Sequence, residues 1–528
     1  MDTSSALQLL LLPAGALAIA GISRRRGWPA PLLLVMAGLL VSFVPGMPSY
    51  ELDPHIVLSV FLPPMLYSTA LESSYLRLRD VKQPIGLLAV GLVLFTTVVV
   101  ALVAHAVIPG LPLAAAFALG AIVAPTDAVS AIAVGRKLGL PRRVITILVG
   151  EGLFNDATAL TAYRVAVAAV VAGATADLFS AGAEFVYSAG VGVAFGLVIA
   201  SAVGMLLRRL TDSLIANGVS LLVPFGAYVA AEAVHASGVI SVVVAGLYLG
   251  HEMSRTTYGT RILSGAVWKV ADLVLESVVF ALIGLQVRPI IMRLADQDPA
   301  RVAFYAVVLF LLVVVLRAVW VPLTVFLPRL LRRGRDDGHG GSWKKIVITS
   351  WAGMRGVVSL AAAFGLPENF PQRNLVLFLT FAVVIGTLIV QGLSFPWLIR
   401  RIGVSNDSER YSDDLAEAGA QQAAAAAALA RLDELIADGV LDVHADVVDQ
   451  LRLRAERTAL RAWERLGGGT GANGEETPAT VYRRLRTEML AAEREVFIRL
   501  RDERRIDDEV LHRVMQELDF EEATLERS

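Results

Sequence analysis

Two carboxylates stand five residues apart inside an apolar stretch that is long enough to cross a bilayer. Glu151 and Asp156 belong to segment 150–158, which reads Gly-Glu-Gly-Leu-Phe-Asn-Asp-Ala-Thr. An ionised side chain at the centre of a membrane helix costs at least about 2.5–3.5 kcal/mol. Each carboxylate therefore needs a fixed cation, a proton or a bound metal ion, and the two residues predict an ion or proton pathway.

Helical geometry separates the two carboxylates. Glu151 and Asn155 share one face of a helix, being four residues apart, whereas Asp156 is turned from that face by roughly 100°. One carboxylate can then be neutralised permanently while the other binds a mobile cation. Arg317 is the expected partner of Glu151, because it is the one charge in segment 311–320 and an arginine keeps its proton in a protein. The alternative is that Arg317 extends to a membrane interface.

Two further segments predict helices that are broken within the membrane. Segment 124–130 reads Ala-Pro-Thr-Asp-Ala-Val-Ser, and a proline followed by Thr and Asp favours the start of a new half-helix. Segment 351–360 carries Arg355 flanked by two glycines, which favours unwound backbone. One interruption in each half of the chain is typical of transporters with inverted repeats. Asp127 is expected to offset positive helix ends. A simple proline kink and an interfacial Arg355 are the alternatives.

The composition is that of a membrane protein. The 528 residues are 55% hydrophobic, with a mean hydropathy of +0.63, and apolar runs of about 20 residues recur, as membrane spans require. A net charge of −1 gives no argument for nucleic-acid binding, and the absence of cysteine excludes disulfides and thiolate metal sites. Phosphate-loop, zinc-peptidase and serine-hydrolase motifs are absent, so we expect neither an ATP-driven pump nor an enzyme.

About thirteen transmembrane helices are expected. Their approximate bounds are 6–22, 30–44, 54–70, 83–108, 112–134, 142–172, 182–210, 214–236, 238–251, 262–286, 302–327, 344–366 and 373–400. The first is expected to be a retained span, because no basic stretch precedes it. Lys and Arg concentrate in alternate connections, including the one with Arg332, Arg333 and Arg335. This predicts an inner (plasma) membrane protein with its N-terminus outside and its C-terminus in the cytoplasm.

The composition changes after about residue 404. We expect a transmembrane domain over 1–403 and a cytoplasmic α-helical tail over 404–528. Within the tail, 413–467 and 479–526 are rich in Ala, Leu, Glu and Arg at helical spacing, and the glycine-rich stretch 467–474 separates them. The tail could be a helical appendage for assembly or stability, or a regulatory sensor, although it contains nothing that resembles a nucleotide or metal site.

These motifs resemble those of the monovalent cation:proton antiporters of the sodium/proton exchanger superfamily, in the electroneutral branch named for its Asn-Asp pair. The resemblance covers about residues 1–400 and continues into the helical tail. It rests on the span around Arg317 and on five segments: 61–67, 124–129, 150–156, 280–285 and 353–356.

The resemblance implies an all-α fold of thirteen transmembrane helices with inverted repeats and crossed broken helices. It also implies a homodimer in which a mobile core moves against a dimerisation subdomain. Asp156 would be the shared cation and proton site, with Asn155 positioning it and the backbone of Thr126 helping to coordinate the ion. Glu151 would pair with Arg317. The expected partners are monovalent cations, protons and the lipid bilayer, and no cofactor is expected.

One position departs from the family pattern. Many relatives carry Ser directly after the Glu, where its hydroxyl is a cation ligand, and here that residue is Gly152. Water or another side chain must then fill this place, and Thr158 is the candidate. The departure puts the preference among Na⁺, K⁺ and Li⁺ in question.

The expected mechanism is secondary active antiport, with a proton and a cation competing for Asp156. With one movable charge, exchange is expected to be one-for-one and electroneutral, by alternating access, and to serve pH and sodium homeostasis. A cation channel could use the same carboxylates, but no symmetric pore segment or filter is visible in the sequence. A membrane sensor with the tail as its output is the other alternative.

Overall fold

The computed structural model describes residues 3–26, 28, 30–44, 56–172, 178–294, 297–331, 343–404, 407–437, 445–466 and 478–527. The regular elements within these ranges are all helical, so the predicted all-α class is confirmed. The chain forms two compact units, Met1–Val404 and Ser405–Ser528. Two features used in the sequence analysis lie outside the described residues: the basic residues Arg332, Arg333 and Arg335, and the glycine-rich stretch 467–474.

The first unit is a bundle of mostly apolar helices. In chain order its helices are α1 (Thr3–Arg26), α2 (Ala30–Ser42), α3 (Val57–Leu71), α4 (Tyr75–Asp80), α5 (Lys82–Val107), α6 (Leu113–Val123), α7 (Val129–Lys137), α8 (Arg142–Ala172), α9 (Leu178–Arg209), α10 (Ser213–Glu232), α11 (Gly238–Glu252), α12 (Tyr258–Met292), α13 (Pro299–Leu331), α14 (Trp343–Trp351), α15 (Val357–Phe364) and α16 (Arg373–Ile402).

Seven of the described helices are long and apolar enough to cross a membrane by themselves. They are α5, α8, α9, α10, α12, α13 and α16. Helices α2, α3 and α6 are shorter apolar helices, each below the roughly 20 residues that a straight span needs. The predicted total of thirteen spans is therefore not established, because several of the predicted spans are short or interrupted helices.

Two of the predicted spans are broken, as the sequence indicated. Residues 124–128 are non-helical between α6 and α7, and residues 352–356 are non-helical between α14 and α15. The two interruptions meet, because the backbone N–H of Asp127 donates to the carbonyl of Met354 at 2.7 Å. A Cβ at Gly356 would lie 2.5 Å from the Cβ of Asp127, so glycine is what permits this approach. A simple proline kink at Pro125 is thus the wrong alternative.

Helix α8, which carries both carboxylates, lies inside the bundle. It packs against α5, α6 and α11 and also contacts α7, α14 and α15, the half-helices that flank the two interruptions. This central position encloses several faces of α8. The buried polar side chains of its central part, Glu151, Asn155 and Asp156, must therefore find partners within the protein.

The second unit consists of two helical pairs. Helix α17 (Asp407–Ala437) packs on α18 (Ala445–Leu466), and α19 (Pro478–Asp502) packs on α20 (Asp508–Arg527). Leu490, Leu518 and Leu525 form a small apolar cluster between α19 and α20. Hydrogen bonds from Arg486 to Glu521 join the same two helices and hold the pKa of the Glu521 carboxyl below its ordinary value. The cytoplasmic location and role of this unit stay predictions.

Candidate ion-binding site

Asp156 lines a cavity of about 70 Å³ at the meeting point of the two interruptions. The cavity walls come from α3, α7, α8, α15 and both unwound segments, and they include Thr126, Asp127 and Ser359. Asp156 itself is only 7% exposed. Since roughly 10–15 Å³ of such space holds one water molecule, the cavity has room for a small cation with a few remaining waters.

Asn155 connects α8 to the first interruption. Its side-chain amide donates to the carbonyl of Thr126 at 2.8 Å and lies 3.1 Å from the Thr126 hydroxyl. That hydroxyl in turn donates to Glu151 at 2.7 Å. Asn155 therefore fixes the unwound backbone beside Asp156 without adding charge. The Thr126 carbonyl keeps a second lone pair that can face a cation.

Glu151 and Arg317 form a fully buried ion pair. Both terminal nitrogens of Arg317 donate to the two carboxylate oxygens of Glu151, and the Nη2–Oε2 distance is 2.9 Å. The side chains are 0% and 2% exposed, so the alternative of an interfacial Arg317 is wrong. Arg317 also donates to the carbonyl of Thr349, from Nε at 3.1 Å and from Nη2 at 3.0 Å. A two-pronged arrangement of this kind is the strong form of an arginine–carboxylate contact.

Arg355 and Asp127 lie at opposite helix ends of the crossing. Arg355 is completely buried, so an interfacial anchor is excluded, and its Nε donates at 3.0 Å to Val123, the last residue of α6. Its terminal nitrogen also donates to the carbonyl of Gly353. Asp127 accepts from the N–H of Val129 at 2.9 Å, at the first turn of α7. The Arg355 side chain thus faces the negative C-terminal end of α6, and the Asp127 carboxylate faces the positive N-terminal end of α7. Both arrangements are electrostatically favourable.

Thr158 is not brought to the cavity. Its hydroxyl bonds back to the carbonyl of Phe154 in the same helix at 3.4 Å, and it is not among the residues that line the cavity. Two residues along a helix correspond to a rotation of about 200°, so Thr158 points away from Asp156. The geometry gives no support to Thr158 as a replacement for the hydroxyl missing at Gly152.

Ser359 is a site residue that the sequence reasoning missed. It lies on α15, is 1% exposed and lines the same cavity as Asp156. Its hydroxyl has no hydrogen-bond partner among the described residues. The one sequence signal was a hydroxyl residue four positions after Arg355 in the interrupted span. The sequence does not show that this residue lies near Asp156, because their proximity depends on how the two interruptions cross.

Gly152 has a steric reason to be glycine. A Cβ at this position would lie 2.9 Å from the Cβ of Ala128, well inside the usual contact distance between two carbon atoms. Because Ala128 belongs to the unwound segment, neither atom is the free end of a flexible chain. Glycine therefore lets α8 approach the first interruption closely.

Gly152→Ser is expected to destabilise the protein by about 1–3 kcal/mol, the usual cost of overpacking a close contact. Ala128→Gly on the same background should restore most of the loss, since it removes the methyl group that the new side chain meets. The measurement is the melting temperature of detergent-purified protein. Gly218→Ser is the matched control, because a Cβ there meets nothing within 4 Å. A Gly152→Ser variant as stable as this control would contradict the steric account.

A model of the transmembrane region of sodium/hydrogen exchangers matches residues 14–401. The chain belongs to the sodium/hydrogen exchanger family. It is 32% identical over 511 residues to an uncharacterized Na⁺/H⁺ exchanger of Mycobacterium tuberculosis, a match that covers 94% of this chain and 91% of that one. It is also 32% identical to a sodium, potassium, lithium and rubidium/H⁺ antiporter of Bacillus subtilis, over 70% of this chain and 58% of that one.

A third relative supports the family assignment, and a solved structure supports the fold. A low-affinity Na⁺/H⁺ antiporter of Synechocystis is 31% identical, over 81% of this chain and 80% of that one. The solved structure of a sodium proton antiporter from Methanocaldococcus jannaschii superimposes with a TM-score of 0.61 at 19% identity, and covers 76% of this chain and 99% of that one. The predicted class is confirmed: this family member is a multi-pass membrane cation:proton antiporter, and the family is one of transporters and not of enzymes.

Proposed function

We propose that this exchanger takes up a monovalent cation and a proton alternately at the carboxylate of Asp156. The observation that carries the proposal is the difference between the two carboxylates of α8. Glu151 is held by Arg317, whereas Asp156 faces a cavity whose described lining contains no lysine or arginine. Asp156 is therefore the carboxylate of this pair that a mobile cation can reach and neutralise.

Competition follows from the cost of burying charge. An ionised carboxylate without a partner is unfavourable in a low-dielectric interior, and either a proton or a partly dehydrated alkali cation removes that cost. Both use the same oxygen atoms, so one excludes the other. If the site crosses the membrane barrier only when neutralised, every cation that moves one way is matched by a proton that moves the other way.

A one-for-one stoichiometry follows from which charges stay fixed. The charge of Glu151 is balanced by Arg317 in the buried pair. Asp127 also lines the cavity, but its carboxylate is held at the start of α7 by the N–H of Val129. We therefore assign one exchangeable charge to the site, that of Asp156, and the transport cycle moves no net charge.

The proposed function is tested in proteoliposomes with a pH-sensitive dye. Addition of Na⁺ should dissipate an imposed pH gradient at a saturable rate, and the apparent KM for Na⁺ should rise as the pH falls, while the maximal rate changes much less. This pattern distinguishes competition for one site from independent binding of the two ions. A KM that does not depend on pH would contradict a shared carboxylate.

Electroneutrality predicts that membrane voltage leaves the exchange equilibrium unchanged. Moving one net charge through 100 mV would contribute about 2.3 kcal/mol. With no net charge moved, the cation gradient at which exchange stops should equal the proton gradient at 0 mV and at −100 mV alike. Valinomycin and a K⁺ gradient set the membrane voltage of the proteoliposomes, and Na⁺ is the transported cation. The measurement is the Na⁺ gradient at which net exchange stops. A displacement of that gradient by voltage would exclude one-for-one exchange.

The proposed substrate class is the monovalent alkali cations, with Na⁺ first. The relatives support the class and not one ion, since one is named for Na⁺ and another for sodium, potassium, lithium and rubidium. No cofactor is required by the proposed cycle, because neutralisation of one carboxylate accounts for both half-reactions.

The cellular setting follows from the resemblance and from the charge pattern of the connections. We propose a homodimer in the inner membrane, with the N-terminus outside and the C-terminus in the cytoplasm, acting in pH and sodium homeostasis. Residues 1–403 would supply a moving core and a dimerisation subdomain, and residues 404–528 a cytoplasmic tail. The excess of Lys and Arg in alternate connections supports this orientation.

A further inference from the structure

We propose that the hydroxyl of Ser359 is a ligand of the transported cation. The proposal rests on the proposed function of Asp156. It adds a specificity-determining residue from α15, an element other than the helix that carries Asp156.

The first support is the state of the Ser359 hydroxyl. The residue is 1% exposed, and its oxygen has no hydrogen-bond partner among the described residues. Buried hydroxyls are nearly always paired, so an unpaired one calls for an explanation such as an ion or water that occupies the site in use. A serine at this position would otherwise be less favourable than alanine, which fills almost the same space without a polar atom.

The second support is the location of Ser359. It is the third residue of α15, immediately after the unwound segment 352–356, and it lines the cavity together with Asp156 and Thr126. Hard cations prefer oxygen ligands, and transporters with discontinuous helices place such ligands at the ends of half-helices. Carboxylate, backbone carbonyl and hydroxyl oxygens from three different elements thus border one space.

The third support is that other hydroxyls near the cavity are already oriented by hydrogen bonds. Thr126 donates to Glu151 at 2.7 Å, and Thr69 donates to the carbonyl of Met65 at 2.9 Å. Position 152 is glycine and offers no hydroxyl, and a Cβ there would lie 2.9 Å from the Cβ of Ala128. Ser359 is the described cavity residue whose hydroxyl is left free to turn its lone pairs toward a cation.

The role of Ser359 differs between the two transported ions. A cation on Asp156 needs several oxygen ligands, whereas a proton is held by the carboxylate itself. The hydroxyl therefore contributes to the cation-bound state and not to the protonated state. Its loss should weaken cation binding, leave proton binding unchanged and have little effect on the step that moves the neutralised site.

The test compares Ser359→Ala with the wild-type exchanger in proteoliposomes. We expect the apparent KM for Na⁺ to rise by about fivefold to tenfold, the effect of losing one net polar contact, with the maximal rate within about twofold of wild type. Ser241→Ala is the matched control, since Ser241 is fully buried and its hydroxyl also has no partner among the described residues. It lies on α11, does not line the cavity, and should keep the wild-type KM.

The pH profile supplies a readout that a structural role would not change. At a fixed Na⁺ concentration above the wild-type KM, protons displace a weakly bound cation more easily. The acid limb of the rate profile should therefore move toward alkaline pH in Ser359→Ala, by up to about one pH unit for a tenfold loss of cation affinity. Stabilisation of the detergent-purified protein by added Na⁺, measured as a melting-temperature shift, should fall in parallel.

A second substitution keeps the test valid if Ser359→Ala does not fold. Ser359→Cys retains the size of the side chain but replaces a hard oxygen with a soft sulfur, so the KM for Na⁺ should again rise. A wild-type KM in either folded variant would overturn the proposal, as would a lower maximal rate with an unchanged KM. Failure of the proposed function looks different, because the wild-type protein itself would then show no Na⁺-coupled exchange.

Discussion

Asp156→Asn is expected to reduce Na⁺-coupled proton exchange to the level of protein-free vesicles. Asparagine has nearly the same size as aspartate but neither takes up a proton at ordinary pH nor attracts a cation as a carboxylate does. Position 156 would then stay neutral throughout, and the exchange cycle would lose both half-reactions together. The measurement is Na⁺-driven dissipation of a pH gradient in proteoliposomes with matched protein content.

The stability of Asp156→Asn should not fall, because the substitution removes a buried charge that has no fixed cationic partner in the described cavity lining. Asp272→Asn is the matched control. Asp272 is a carboxylate of the membrane helix α12 that accepts a hydrogen bond from Ser68 at 2.6 Å and does not line the cavity. This control should retain coupled exchange. Wild-type exchange in Asp156→Asn would refute the assignment of the site.

Arg317→Ala is expected to cause the largest loss of stability among single substitutions near the site. It would leave Glu151 buried and ionised without its cation, and breaking a buried ion pair in this way costs about 3–5 kcal/mol. The measurement is the melting temperature of the detergent-purified protein together with its elution as a single species. Arg164→Ala is the control, because Arg164 pairs with Glu232 at 2.8 Å but is 42% exposed, and such pairs contribute about 0–1 kcal/mol.

The double variant Glu151→Gln, Arg317→Met tests whether the loss of stability comes from the unpaired charge of Glu151. Removing both charges takes away the uncompensated carboxylate, so we expect it to recover much of the stability that Arg317→Ala loses. The hydrogen bonds to Thr126 and Thr349 would still be altered, which sets a limit to the recovery. A double variant as unstable as Arg317→Ala, or an Arg317→Ala as stable as Arg164→Ala, would contradict this account.

Local chemistry in the sequence was sufficient to predict several features of the fold. Pro125 and the glycines beside Arg355 weaken helical hydrogen bonding where they stand, so the two interruptions were predictable from single residues. The contact between Glu151 and Arg317, which the structure contains, could be anticipated because an isolated arginine in an apolar run needs a carboxylate. In each case the physical cause lies in the residue itself.

Other features depend on how distant segments meet and could not be predicted. Helical phase orients residues on α8 relative to one another, but it does not say what lies opposite them. Ser359 is more than 200 positions away from Asp156 in the chain, and it reaches the cavity because the backbone of Asp127 bonds to that of Met354. The number of spans could not be predicted for a related reason. A hydropathy pattern identifies long apolar helices, whereas a half-helix is short and depends on neighbouring helices to cross the membrane.

The hydrogen-bonded series from Asn155 through Thr126, Glu151 and Arg317 to Thr349 has a consequence for transport. It joins α8, α13, α14 and the segment after α6, so these parts are expected to move as one body and to keep Asp156 beside the carbonyl of Thr126 at either face of the membrane. The intrinsic affinity for each ion is then equal on the two sides. We therefore expect such an exchanger to show similar apparent affinities for each ion whichever way it runs, while the ion gradients set the direction of net exchange.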